Sequence, residues 1–279
     1  MKYKFKTTPY QHQKDVLEAS WHKKVWAYFM EMGTGKSKVC IDNAALLYER
    51  KEIDAFVIVA PKGVYRNWAR QEIPAHMPDR IKYDLVVWSP SPTKANKKRL
   101  LDLLEPSETL RIFIMNVEAL STSKGKRFLT MFLNHSESLL AVDESTAIKS
   151  PKARRTKTII SVAPLAKYRR ILTGFPVTQS PMDLWAQCRF LDKELLEDCG
   201  DNFFQFQYRY AIMTKRSVGS HSFNQIVGYR NLERLSALLK NFSSRIMKEE
   251  CLDLPDKIYT RRDVALTPDC LLYTSDAAD

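Results

Sequence analysis

Six consecutive residues, Met32-Gly33-Thr34-Gly35-Lys36-Ser37, could do chemistry that needs no distant partner. Two glycines one residue apart permit backbone angles closed to other residues, so successive N–H groups can turn toward one anion. Lys36-Ser37 then opens a helix whose positive end faces the same anion. In a phosphate loop of pattern G-x-x-x-x-G-K-[ST], Lys36 would reach the β- and γ-phosphates and the Ser37 hydroxyl would ligate Mg²⁺. Met32, Gly33, Thr34, Gly35, Lys36 and Ser37 are therefore the candidate ATP-binding residues. Met30 stands where the pattern has its first glycine.

A second constellation is Leu139-Leu140-Ala141-Val142-Asp143-Glu144, an apolar run ending in two adjacent carboxylates. Side chains alternate along a strand and diverge on leaving it. Asp143 could then hold Mg²⁺ while Glu144 orients or deprotonates an attacking water. Alone, such a pair more often caps a helix in solvent; together with the phosphate loop, Lys36 and Glu144 become candidate catalytic residues, and Ser37 and Asp143 candidate Mg²⁺ ligands.

The elements that must position these groups are legible as short apolar runs alternating with helical periodicity between about residues 24 and 191. Strands are expected at Val25 to Met30, Ala55 to Ala60, Asp84 to Trp88, Arg111 to Met115, Leu139 to Val142 and Arg170 to Leu172. That alternation predicts an α/β fold, a parallel sheet flanked by helices, with ligands at the strand C-terminal ends. After residue 192 the texture becomes aromatic and amphipathic. Helices are expected over Asn202 to Met213 and Leu232 to Phe242 with a Ser/Gly-rich loop around Ser217 to Ser222, a C-terminal helical appendage. A last strand-like stretch covers Lys257 to Leu266.

These motifs together resemble the superfamily-two helicase-like ATPases, most closely the Swi/Snf (sucrose non-fermenting) type, over nearly the whole chain. Glu31-Met32-Gly33-Thr34-Gly35-Lys36-Ser37 is similar to that family's phosphate loop, which explains Met30. The resemblance implies a RecA-like first motor lobe over 1–192, a helical appendage over 193–256, and over 257–269 the start of a crossover to a second lobe that would supply arginine to ATP bound between the two. Arg245, Lys248, Leu254-Pro255 and Lys257 resemble that crossing segment.

The resemblance also implies residue roles. Pro9-Tyr10-Gln11 is similar to an adenine-sensing element, making Gln11 an adenine contact. Val57-Ile58-Val59-Ala60-Pro61-Lys62 with Asn67-Trp68 resembles a motif lying on the DNA backbone, making Lys62 a phosphate contact. Leu172-Thr173-Gly174-Phe175-Pro176 resembles a Leu-Thr-Gly-Thr-Pro motif, so Thr173 and Gly174 would couple ATP state to the DNA track, with Phe175 replacing the second Thr. Asp143-Glu144-Ser145-Thr146 resembles an Asp-Glu-x-His block, with Thr146 in place of His. The implied activity is ATP hydrolysis that drives movement on duplex DNA, with the chain alone binding ATP weakly and hydrolysing it negligibly. The Asp-Glu-Ser-Thr variant and compact spacing are most similar to helicases of bacteriophage genomes.

Forty-four basic against thirty-two acidic residues leave a net charge of +12, which suits a polyanionic partner. Lys149, Lys152, Arg154 and Arg155 follow the carboxylate strand and are the DNA candidates beside Lys62; Lys94 to Arg99 reads as a solvated face. Phe203, Phe204, Phe206, Tyr208 and Tyr210 sit at helical spacing and read as core, as does Trp68. Five cysteines show no CxxC pair and the histidines no ligand spacing, so neither zinc nor disulfides are expected. No apolar run is long enough to span a bilayer and no signal core opens the chain, so a cytoplasmic setting is expected. Residues 270–279 resemble the translation of a sequencing-library adapter, so the natural protein is expected to continue differently there. Two other classes stay open: a P-loop kinase or NTPase acting on a small molecule, and a nucleotide-gated DNA-binding switch.

Overall fold

A computed structural model describes residues 3–218 and 221–251. The expected strand at Lys257 to Leu266, the crossover residues Leu254, Pro255 and Lys257, and the 270–279 tail lie outside these. Seven strands form one parallel sheet in the order β3-β4-β2-β5-β6-β1-β9. They are β1 (Val25–Met30), β2 (Ala55–Ala60), β3 (Tyr83–Val87), β4 (Leu110–Asn116), β5 (Ser138–Asp143), β6 (Tyr168–Leu172) and β9 (Ser243–Ile246). The first six match the expected runs, with bounds shifted by a few residues. β2 and β5 are buried at every position, as central strands covered on both faces must be.

Helices α1 (Gln11–Ser20), α2 (Lys36–Glu49), α3 (Lys94–Asp102), α4 (Ser123–Asn134), α5 (Arg154–Val162) and α6 (Leu184–Leu191) accompany the sheet. Between β2 and β3 a helical run opens at Tyr65–Asn67, becomes π-helical over Trp68–Glu72 and ends at Ile73–His76. π-turns are rare and often accompany functional sites. The join of α1 to the sheet rests on Arg170, fully buried. Its guanidinium donates to Asn43 Oδ1 and to the carbonyls of Ser20, Lys23, Lys24 and Arg169.

The appendage departs from expectation. Helix α7 (Phe203–Tyr210) is present, but the helix expected to run to Met213 stops at Tyr210. Strands β7 (Ala211–Val218) and β8 (His221–Tyr229) follow as an antiparallel hairpin, and Ser217 and Ser222, expected in a loop, face each other across the paired strands. Ile212, Thr214, Phe223, Ile226, Val227 and Tyr229 are β-branched or aromatic residues that favour strands, and this outweighs the helical spacing of the preceding aromatics. Helix α8 (Leu232–Lys240) follows, and the chain then rejoins the sheet as β9 alongside β1. The aromatic stripe is split: Phe206 and Tyr210, one turn apart, are fully buried, whereas Phe204 and Tyr208 are 72% and 71% exposed.

Candidate nucleotide and catalytic site

The phosphate loop hangs from the buried end of β1. Met30 is the last strand residue, pairs with Ile246 and has no positive φ, so a glycine is not required there. The left-handed angles fall at Gly33 (φ +89) and Gly35 (φ +86), the latter capping α2. The loop closes on itself, because Thr34 donates from Oγ1 to the Glu31 carbonyl at 2.8 Å. The Thr34 carbonyl in turn accepts from Gln13 Nε2 at 3.0 Å and lies 2.8 Å from His12 Nε2. Helix α1 therefore braces the loop from behind.

Gln11, the residue read as the adenine contact, is exposed, and its amide donates to Asp15 one turn away. The loop contacts come instead from His12 and Gln13, neither of which stood out in the sequence. The Pro9-Tyr10-Gln11 run was the available pointer to this turn.

The carboxylates divide as alternation predicts. Asp143 is buried; its Oδ2 accepts from Trp68 Nε1 at 2.8 Å and its Oδ1 from the Glu144 N–H at 2.9 Å. Burial pushes the Asp143 carboxyl above its ordinary range, with the Trp68 hydrogen bond and the Lys36 charge opposing and Glu144 adding to the rise. Glu144 holds a left-handed conformation (φ 45, ψ 60), costly for a non-glycine residue and a form of strain that clusters at functional sites. That turn leaves its side chain 33% exposed, with Oε1 3.4 Å from Lys36 Nζ.

Strand order puts β6 between β5 and β1, so the segment leaving β6 fills the space between carboxylates and phosphate loop. Thr173 Oγ1 donates to Glu144 Oε2 at 3.4 Å. The Gly174 backbone packs so near the loop that a Cβ there would lie 3.4 Å from Glu31 Cα and from the Met32 nitrogen. Thr173 and Gly174 thus touch both halves of the site. Phe175, 57% exposed, contributes only its N–H, to Thr173 Oγ1.

Beneath this layer a buried polar pair joins the exits of β5 and β6. Ser145 Oγ donates to Gln187 Oε1 at 2.6 Å, and Gln187 Nε2 donates to the carbonyls of Pro176 and Asp183 at 2.8 Å. This link sits next to Thr146, the position where the resembled block has His. Neither Ser145 nor Gln187 carries a sequence signal, because a lone Ser and Gln on separate elements have no spacing to read.

Of the DNA candidates, Lys149 is held by side chains of the fold. Its ammonium is occupied within the fold, 2.5 Å from Thr178 Oγ1 and 3.4 Å from Asp183 Oδ2. Lys62, Lys152 and Arg154 are exposed beyond the ends of β2 and β5. Arg155 is half-buried near Glu118, which follows β4. Burial alone would raise the Glu118 carboxyl, but hydrogen bonds from Asn116 and the Lys62 N–H, with the Arg155 charge, hold it below its usual range. The Lys62 backbone N–H and the Arg155 charge thus act on one carboxylate.

The loop receives one further cation. Glu31 Oε2 accepts from the Lys248 N–H at 2.9 Å, and a Cβ on Gly33 would lie 3.2 Å from Lys248 Cε and 3.6 Å from its Nζ. Arg245, in β9, pairs with Phe29.

A Mg²⁺ ion fits the donor set. Asp143 offers a carboxylate fixed by two donors, and the Ser37 hydroxyl has no hydrogen-bond partner among the described residues. No cluster of three His, Cys, Asp or Glu there could hold a metal unaided; Mg²⁺ commonly completes its shell with substrate phosphates and water. No helix among the described residues is long and apolar enough to cross a membrane.

A model of the SNF2-related domain matches residues 27–270. The chain is 28% identical over 241 residues to the chromatin-remodeling ATPase INO80 of Arabidopsis thaliana, covering 85% of this chain and 15% of that protein. It is 24% identical over 249 residues to the SNF2 domain-containing protein ENL1 of Oryza sativa subsp. japonica, covering 86% and 24%. Among solved structures, the Sulfolobus solfataricus SWI2/SNF2 ATPase core in complex with dsDNA aligns with a TM-score of 0.67 at 20% identity, over 100% of this chain and 53% of that one. The S. solfataricus core domain alone aligns at 0.64 and 21%, over 100% and 52%. The chain thus spans about half of these solved relatives and a smaller share of the curated ones.

Proposed function

The chain belongs to the SNF2-related domain family, and from that premise we propose that it is the ATP-binding first lobe of a motor that hydrolyses ATP to move on duplex DNA. The observation that carries this reading is the 3.4 Å approach of Lys36 Nζ to Glu144 Oε1, with Thr173 on the other Glu144 oxygen. A phosphate binder alone needs the loop; a hydrolase also needs a carboxylate where the terminal phosphate and its attacking water would meet. In this reading Gly33, Gly35 and the α2 N-terminus bind the phosphates, Lys36 offsets charge on them, and Glu144 orients water. Ser37 and Asp143 hold Mg²⁺, which when bound supplies further charge compensation to the phosphates. Gln11 contacts adenine by turning from Asp15.

Thr173 and Gly174, touching both Glu144 and the phosphate loop, report the state of the site to the segment behind them. Duplex DNA follows the exposed Lys62, Lys152 and Arg154, with Arg155 alongside; a second lobe completes the site with arginine. The Asp143-Glu144-Ser145-Thr146 variant supports a phage or bacterial source acting in the cytoplasm. The test is ATP turnover by the product of the whole gene with and without duplex DNA. Stimulation by DNA that vanishes in Glu144→Gln, with ATP binding retained, is the expected result. Turnover indifferent to DNA would instead indicate a small-molecule NTPase, and ATP binding without any turnover a switch.

A further inference from the structure

From Asn202 to Leu232 the chain contains no Asp or Glu, while it carries Arg209, Lys215, Arg216 and Arg230. The structure divides these cations by task. Arg209 pairs with Glu197 and Asp198, and Arg230 donates to the Tyr208 carbonyl and lies over the Tyr208 ring at 5.2 Å. Both hold the base of the hairpin. Lys215 and Arg216, further out on β7, have no carboxylate partner among the described residues.

The hairpin stands away from the core. Residues 212–217 and 222–225 are exposed on both faces of the ribbon, and only nearer its base does Ile226 pack against the core. A two-stranded ribbon bare on both faces is marginal in water, and its edges offer unpaired backbone groups. On one face the register sets Arg216 opposite Phe223 and Thr214 opposite Gln225; on the other, Lys215 opposes Asn224 and Ser217 opposes Ser222. Every polar side chain in these pairs is a cation or a neutral hydrogen-bonding group.

The hairpin's root matters as much as its surface. Helix α7, which leads into β7, packs on the turn Pro181–Asp183 and sets Phe203 edge-on against Trp185 at 5.5 Å. That turn belongs to the segment leaving the C-terminal end of β6, behind Thr173 and Gly174. The ribbon is therefore tied to the part of the fold that touches the nucleotide site.

We infer that the β7–β8 hairpin is a second contact for duplex DNA, a basic ribbon laid into a groove with Lys215 and Arg216 on phosphates. Eight residues of β7 extend about 25 Å, and a major groove about 12 Å wide admits a two-stranded ribbon. The absence of carboxylates suits a polyanion, and the neutral polar side chains suit groove edges. This inference rests on the duplex-DNA reading above, with the hairpin as an added site.

The experiment compares the 279-residue chain with Lys215→Ala/Arg216→Ala, and with Lys215→Gln/Arg216→Gln as a bulk-preserving second variant. Binding to a fluorescent duplex is titrated over a range of salt, with ATP-analogue binding read in parallel. Both variants are expected to bind about tenfold more weakly at low salt, with a log–log salt slope shallower by about 2 and unchanged nucleotide affinity. Wild-type affinity and slope in both variants would overturn the hairpin assignment and leave the motor reading intact. A wild-type chain that binds no duplex at any salt would overturn both.

Discussion

Trp68 and Asp143 lie 75 positions apart in the chain and meet in a buried 2.8 Å hydrogen bond, indole Nε1 to carboxylate Oδ2. The bond joins the π-turn after β2 to the end of β5 and fixes the carboxylate assigned to Mg²⁺. In Trp68→Phe the ring still fills its space but Asp143 loses a donor in a dry environment. The expected cost is about 1–3 kcal/mol of stability, together with weaker Mg²⁺ dependence of ATP binding. Denaturant unfolding and a Mg²⁺ titration of nucleotide binding check the two effects; unchanged Mg²⁺ dependence would remove Trp68 from the site.

Gly35→Ala should strain the loop in two separable ways. A left-handed alanine costs about 1–2 kcal/mol, and its methyl would come within 2.2 Å of Gln13 Nε2. Displacing Gln13 breaks its bond to Thr34, worth about 1 kcal/mol. Adding Gln13→Ala to Gly35→Ala relieves the clash but not the φ strain. A double-mutant cycle on thermal stability should show coupling between the two, and ATP affinity should stay low in both Gly35 variants.

Ser145→Ala leaves the fully buried Gln187 Oε1 without its donor, at an expected cost of about 1–3 kcal/mol. The double variant Ser145→Ala/Gln187→Leu removes both partners and should be less destabilised than the single change. If the pair transmits ATP state to the 176–183 segment, the double variant keeps nucleotide affinity and loses DNA stimulation of turnover. Retained stimulation would make the pair purely structural.

Asp183 gives a pH signature. Burial would raise its carboxyl, but the Gln179 N–H, then the Thr178 hydroxyl and N–H and the Lys149 charge hold it below the ordinary value. A depressed folded-state pKa means the unfolded chain binds more protons, so this stabilisation is complete above the ordinary carboxylate range and disappears as pH falls through the depressed value. Asp183→Asn should therefore lower stability near neutral pH by about 1–3 kcal/mol and flatten the acid limb of the profile. Urea titrations across the acid range read this directly; an acid limb as steep as wild type would contradict it.

The features readable without the fold are local ones. The phosphate loop was legible because glycine angles and Lys-Ser at a helix start are properties of six adjacent residues, and the carboxylate strand because alternation separates Asp143 from Glu144. The central strands β2 and β5 were legible because a parallel strand buried on both faces is apolar along its length. Which of several equivalent-looking groups meet the phosphate loop and the carboxylates follows from packing alone. Gln11 and Gln13 differ only in which side of α1 they occupy, and Gln13 lies against the loop. Lys149 reads as a free cation until Asp183, 34 residues on, takes its charge. Trp68, Ser145, Gln187 and Lys248 gain their roles from contacts across the sheet that no local spacing encodes. The 211–229 hairpin was hidden for a related reason: its strands pair with each other and not with a core, so the alternation of buried and exposed residues that marks a strand is absent where both faces meet solvent.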